Sequence, residues 1–170
     1  MESKKNLVLL GMMASGKSTI GNLVSKKLGL KFYDIDKIIE KEMNMTISQI
    51  FNEKNEIFFR SLEEKTVFKI LKNKKSVISL GGGAFSNEKL RKEIVSNHIS
   101  FWLDCSNKTL INRIRKNKRR PLANKLTNKE LIELIIKRKK NYMKANFRID
   151  CDKLNKIQTI NYIAKLYETI

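Results

Sequence analysis

The sequence predicts an α/β fold in three layers, a five-stranded parallel sheet with helices on both faces, and three observations predict it. Short apolar runs alternate with segments of helical periodicity along the whole chain. The first apolar run empties into a glycine-rich loop that opens a helix. No repeat or linker interrupts the 170 residues, so one domain spans 1–170. Alternation of this kind makes consecutive strands parallel and lays the crossover helices against the sheet.

Asn6 to Leu10 is a short buried strand ending at glycine. Ser18 to Leu28 places Ile20, Leu23, Val24 and Leu28 at helical spacing, and Gly29 stops the helix. Lys31 to Asp34 reads as the second strand and Ile35 to Met43 as a helix. Thr46 with Gln49 has the form of a capping box opening a short helix. Glu56 to Leu71 is a longer helix with Phe59, Leu62, Val67, Ile70 and Leu71 toward the core. Ser76 to Leu80 is a strand ending in Gly81-Gly82-Gly83. Asn87 to Val95 reads as helix, Ile99 to Leu103 as strand and Thr109 to Arg115 as a short helix. A basic stretch closed by Pro121 follows. Asn128 to Lys144 is helix, Phe147 to Ile149 the fifth strand and Lys156 to Tyr167 the last helix.

Composition narrows the function classes. No apolar run approaches the ~20 residues needed to span a bilayer, and five residues precede the first apolar run, too few for a signal or transit peptide. A cytoplasmic, monomeric protein is expected. Cys105 and Cys151 lack metal-ligand spacing and read as reduced, packed thiols. The net charge of +19 comes from 28 Lys against 8 Arg spread along the chain. That is a solvated lysine surface rather than a basic stripe, so no specific nucleic-acid partner is expected. Such a field would steer anionic ligands such as ATP toward the protein.

Gly11-Met12-Met13-Ala14-Ser15-Gly16-Lys17-Ser18 fits the phosphate-loop pattern G-x-x-x-x-G-K-[ST], between a strand and a helix as that pattern requires. Its glycines let backbone N–H groups close on phosphate oxygens, and the helix N-terminus adds its positive dipole end. Lys17 would bridge the β- and γ-phosphates of ATP and Ser18 would bind Mg²⁺. The loop does not name the phosphate acceptor. Asp34 and Asp36 stand at the next strand-to-helix junction. Asp34 could hold Mg²⁺ through water, Asp36 could orient a hydroxyl as a general base, or either could cap the helix. Arg60 could pair with Glu56, Glu63 or Glu64 on its own helix or reach a ligand. Three successive glycines suggest a ligand against bare backbone. Arg138 could be a site residue or a solvated surface charge.

Together these elements resemble shikimate kinase over nearly the full length. They are the phosphate loop continuing into Ser18-Thr19-Ile20-Gly21, Asp34-x-Asp36, Glu56-x-x-Phe59-Arg60, Gly81-Gly82-Gly83, Arg120-Pro121-Leu122 and Arg138-x-x-x-Tyr142. The resemblance implies a phosphate-loop fold of the nucleoside-monophosphate-kinase kind, with transfer of the ATP γ-phosphate to the 3-hydroxyl of shikimate in aromatic amino-acid biosynthesis. It implies a nucleotide site of Gly11, Ala14, Ser15, Gly16, Lys17, Ser18 and Thr19, with Arg113 against adenine. It assigns the shikimate carboxylate to Arg60 and Arg138, the ring hydroxyls to Asp36, and backbone contact to Gly81, Gly82 and Gly83. Arg115 to Asn128 would be a mobile lid carrying Arg120 onto the phosphates, and the adenine loop would fall near Asp152 to Lys156. Three positions depart from the family. Ala14 replaces a glycine, at little cost if its φ is negative. Asn55 replaces a glycine before Glu56, where a left-handed turn would suit Asn. Ala123 stands where leucine is common, which would loosen the lid.

Overall fold

A computed structural model describes residues 5–117 and 121–170 of the protein. The elements run β1 (Leu7–Leu10), α1 (Lys17–Leu28), β2 (Lys31–Asp34), α2 (Ile35–Met43), α3 (Ile47–Lys54), α4 (Glu56–Leu71), β3 (Ser76–Ser79), α5 (Glu88–Asn97), β4 (Ile99–Asp104), α6 (Asn107–Lys116), α7 (Pro121–Asn124), α8 (Asn128–Tyr142), β5 (Phe147–Asp150) and α9 (Lys156–Glu168). The five strands form one parallel sheet in the order β2-β3-β1-β4-β5. Strand β1 lies at its centre and is buried along its whole length.

Alternate residues of each strand feed opposite faces, as strand geometry demands. Val8, Leu10, Ile78 and Trp102 meet Ile39, Phe59, Val67 and Leu90 on one face. Leu7, Leu9, Val77 and Phe101 meet Ile20, Val24 and Ile163 on the other. Both faces are therefore dry, which is why the strands read as continuous apolar runs rather than alternating ones. A third, small cluster of Ile114, Ala123 and Leu131 ties α6, α7 and α8 together and touches Met13 and Ala14 of the phosphate loop. Ala123 is 4% exposed, so the smaller residue at this position is packed. Among the described residues no helix is long and apolar enough to cross a membrane.

The expected elements are present, with shifts at their ends that have local causes. Helix α6 starts at Asn107 rather than 109 because the Ser106 hydroxyl accepts from the Thr109 N–H at 3.2 Å, an N-cap upstream of the apolar pattern. Leu80 leaves the strand, and a 3₁₀ turn at Ala84–Ser86 follows the glycines. The capping box at Thr46 and Gln49 forms as read. Asn55 corrects an expectation. Its φ is positive, at 77°, but its ψ of 171° is not left-handed helical. That combination is nearly reserved for glycine and costs about 1–3 kcal/mol in other residues. In return Oδ1 of Asn55 accepts from the Phe58 N–H at 3.0 Å and caps α4.

Candidate active site

Parallel strands deliver all their carboxyl ends to one edge of the sheet, where open α/β sheets take ligands. Gly11 follows β1, Asp34 closes β2, and the triple glycine follows β3. Residues from all three line a cavity of about 250 Å³ that includes Lys17, Ser18, Asp34, Asp36, Gly82 and Arg113. The sequence separates these residues by up to about a hundred positions; the topology brings them together.

The phosphate loop is a tight bend between β1 and α1. Gly11 has φ 145° and a Cβ there would stand 2.7 Å from the Leu103 carbonyl oxygen, so only glycine fits. Gly16, the N-cap of α1, has φ 100°. Lys17 is buried and its Nζ donates to the carbonyls of Gly11 and Met12 at 2.9 Å each, so the loop holds its own cation. Ala14 overturns the expectation of a low cost. Its φ is +65°, where a Cβ crowds the following carbonyl, a strain of about 1–2 kcal/mol. Ser18 and Thr19 stand exposed at the start of α1.

Asp34 caps the helix, one of the readings the sequence left open, and keeps its second oxygen unpartnered among the described residues. Oδ1 accepts from the Lys37 N–H at 3.4 Å and caps α2. Oδ2 is buried without a hydrogen-bond partner among the described residues. An orphaned carboxylate oxygen in the cavity that also holds Ser18 fits a hydrated divalent cation, whose charge would repay the burial. Among the described residues no three His, Cys, Asp or Glu side chains converge on one point. A cation here would therefore rest mainly on phosphate and water oxygens, the habit of Mg²⁺.

The cluster against the triple glycine is built around Glu63, which the sequence offered only as one partner of Arg60. Glu63 is 2% exposed. Its Oε2 accepts from Arg60 Nη1 at 2.7 Å, and Arg60 also reaches Glu56 Oε1 at 3.2 Å. Arg60 is thus in the helical ion pair that the sequence allowed, and the same pair aims its guanidinium at the triple glycine. A Cβ on Gly83 would lie 2.5 Å from Arg60 Nη2, one on Gly82 3.3 Å from Arg138 Nη1, and one on Gly81 2.8 Å from Asp36 Oδ1 and in collision with Glu63 Oε1. The three glycines are bare first of all because four of the protein's own side chains press against them. That is a nearer cause than the expected ligand contact.

Arg138 completes the group from α8, its Nη1 3.5 Å from Met12 Sδ. Tyr142, one turn on, hydrogen-bonds Arg138 and donates its hydroxyl to the Gly82 carbonyl. Burial pushes the Tyr142 phenol up to about 12, so it stays a donor at neutral pH. Burial likewise pushes the Glu63 carboxyl up. Arg60 and Arg138 pull it down and Asp36 adds to the rise, leaving it above its ordinary value. Glu63 and Tyr142 have a signal in the sequence, polar groups one turn from Arg60 and Arg138 on helices that must face the site, but only the fold shows what they hold.

Arg113 lies at the far end of the cavity, exposed, with Nη1 donating to the Ala14 carbonyl at 3.3 Å. Asp152 lies in the segment expected to meet adenine. It accepts from the Ser106 N–H at 2.8 Å and from Thr109 Oγ1 at 2.9 Å, joining the start of α6 to the loop after β5. Arg115 donates to the carbonyls of Asn124 and Leu126 and to Asn128 Oδ1, which holds the described part of the 115–128 segment to α6. Arg119 and Arg120 lie outside the described residues.

The family model of shikimate kinase matches residues 13–168. The chain belongs to the shikimate kinase family. A shikimate kinase from Persephonella marina is 40% identical over 159 residues, covering 94% of this chain and 96% of its own. Among solved structures, the shikimate kinase of Bacteroides thetaiotaomicron superposes with a TM-score of 0.85 at 28% identity over 98% of both chains. The shikimate kinase of Acinetobacter baumannii in complex with shikimate does so with a TM-score of 0.86 at 27% identity, over 99% of this chain and 93% of its own. The family is one of ATP-dependent kinases, and the sheet with its flanking helices is the fold the resemblance implied.

Proposed function

We propose that the protein transfers the γ-phosphate of ATP to the 3-hydroxyl of shikimate, giving shikimate 3-phosphate and ADP. The observation that carries this is the convergence of Arg60, Arg138, Glu63 and Asp36 on the triple glycine, beside the phosphate loop. Two guanidinium groups suit one carboxylate, which they can grip in forked pairs. One carboxylate suits ring hydroxyls. A small anionic polyol is the ligand class that uses both, and the solved relative with shikimate bound is of that class.

In this reading the loop amides and Lys17 hold the ATP phosphates, and Arg113 lies on the adenine. Lys17, with Arg120 brought over by the 115–128 lid, offsets charge on the phosphoryl group as it transfers. Asp36 orients the acceptor hydroxyl and takes its proton. Arg60 and Arg138 fix the acceptor carboxylate, so that the hydroxyl meets the phosphate in line. Ser18 and Asp34 would hold Mg²⁺, Asp34 through water, and the ion would supply positive charge to the phosphate oxygens. Monomeric action in the cytoplasm, on ATP and shikimate alone, belongs to the same reading.

The test is ADP release in a coupled assay with Mg-ATP and shikimate, with quinate and gluconate as comparison acceptors. Release that depends strongly on shikimate is expected. Release that favours gluconate, or none with shikimate while ATP binds, would overturn the acceptor assignment and leave the nucleotide site standing.

A further inference from the structure

Strands β4 and β5 end in register, Asp104 beside Asp150, and the next residue on each strand is a cysteine. The Cys151 N–H donates to the Asp104 carbonyl at 2.9 Å, so the ladder continues to this pair. Neighbouring strands run ~4.8 Å apart, inside the ~4.4–6.8 Å Cα span that a disulfide bridges. Both thiols are free; Cys151 Sγ lies against Cys105 and donates to the Ile149 carbonyl at 3.6 Å. Cys105 is buried and Cys151 half-buried.

Cys105 also touches the nucleotide side of the site. Its Sγ lies 3.8 Å from the Ser15 carbonyl of the phosphate loop and 3.8 Å from Arg113 Nη1. Arg113 in turn donates to Ala14. One sulfur therefore joins the loop, Arg113 and the second cysteine. The neighbouring Cys151 side chain lowers the Cys105 pKa against the effect of burial, with help from Arg113, while Cys151 is raised.

We propose that Cys105 and Cys151 are an oxidation site, closing reversibly to a disulfide that withdraws Cys105 from the phosphate loop and Arg113 and so weakens ATP binding. The oxidant is a small peroxide, which can reach a buried sulfur. Cys105 thiolate attacks one peroxide oxygen, the O–O bond breaks, and hydroxide leaves and is protonated to water. The resulting Cys105 sulfenic acid is attacked by Cys151 sulfur. The S–S bond forms, the S–O bond breaks, and the hydroxyl leaves as a second water with the Cys151 proton. Two thiols are oxidised by two electrons in all and one peroxide is reduced to two waters. An external dithiol reverses it by exchange. A transient bond of this kind suits a reducing compartment.

The proposal rests on the phosphate loop as the ATP site. The full chain is treated with one equivalent of hydrogen peroxide. Intact mass, free-thiol titration, and ATP and shikimate KM are then followed before and after dithiothreitol. Expected are a mass loss of two hydrogen atoms, loss of both thiols, and an ATP KM raised about tenfold, the scale of one lost hydrogen bond. Shikimate KM should hold, and dithiothreitol should reverse the change. Cys151→Ser should keep the basal activity and instead gain oxygen mass under peroxide. Unchanged mass with two titratable thiols, or a disulfide with unchanged ATP KM, overturns the proposal alone. Reduced protein that binds no ATP overturns it together with the nucleotide reading.

Discussion

Replacing Gly83 with alanine should damage acceptor binding while sparing the nucleotide. The backbone at Gly83 has φ −99° and ψ −17°, which alanine adopts without strain. The added Cβ would stand 2.5 Å from Arg60 Nη2 and 2.6 Å from its Cζ and Nη1. Non-bonded carbon needs about 3.5 Å, so one partner must yield by about 1 Å. The guanidinium is the end of a flexible chain and yields more cheaply than the sheet. Retreat by that distance stretches the 2.7 Å bond to Glu63 to about 3.7 Å, beyond hydrogen-bond range. A charged hydrogen bond is worth about 1.5–3 kcal/mol, so shikimate KM should rise roughly 10- to 150-fold. Arg60→Ala, which removes the guanidinium outright, sets the ceiling for the effect. The assay is shikimate titration at saturating ATP, with ATP affinity and thermal melting as controls. An unchanged shikimate KM would refute the placement of Arg60 at the acceptor. A rise in ATP KM of equal size would show that the glycines serve the wrong substrate in this account.

Ala14→Gly should relieve the positive φ and stabilise the protein by about 1 kcal/mol, seen as a melting temperature about 2–4 °C higher; no gain would show that the loop is unstrained there. Asp36→Asn should leave ATP binding intact and lower turnover about 10²- to 10⁴-fold, the usual worth of a positioned base, and wild-type turnover would remove Asp36 from that role. For Glu63 the test is pH. Burial raises its carboxyl above the ordinary 4.5, so the folded protein binds that proton more tightly than the unfolded chain. Its contribution to stability is full below 4.5 and is lost as pH rises through the raised value. Glu63→Gln abolishes this dependence. Urea unfolding between roughly pH 4 and pH 8 should show wild type losing stability relative to the variant as pH rises, whereas a constant difference would refute the raised value.

The fold was legible because both faces of the sheet are covered. A strand buried on two sides must be apolar throughout, and a helix lying on it must be apolar on one stripe; both patterns survive in a chain this rich in lysine. What the sequence hid depended on backbone angles and on distance across the fold. The sign of φ at Ala14 and the ψ at Asn55 follow from how the chain re-enters the sheet, which no side-chain pattern encodes. Ser106 was missed as a cap because the apolar spacing of α6 begins after it. The phosphate loop needed no fold to be seen, since its residues are consecutive. The proposed acceptor site did, because Arg60, Asp36, Gly83 and Arg138 come from four separate segments.

The case of Arg60 shows why an unremarkable reading and a functional one need not compete. An exposed ion pair one helical turn apart contributes little to stability, and by itself argues for nothing. Here one partner, Glu63, is buried, and burying a carboxylate is costly unless its hydrogen bonds are met. Arg60 meets one oxygen; the other has no partner among the described residues. The pair is therefore a poor way to stabilise a helix and a good way to hold a guanidinium still against the glycines. A bound carboxylate would find Arg60 already ordered, its conformational cost met at folding rather than at binding. The unsatisfied oxygen lies beside Gly81 and Asp36, where an acceptor hydroxyl would have both carboxylates in reach. Stability given up at Glu63 and positioning gained at Arg60 are then one arrangement, which is why a change at Gly83, which alters neither charge, should act through both.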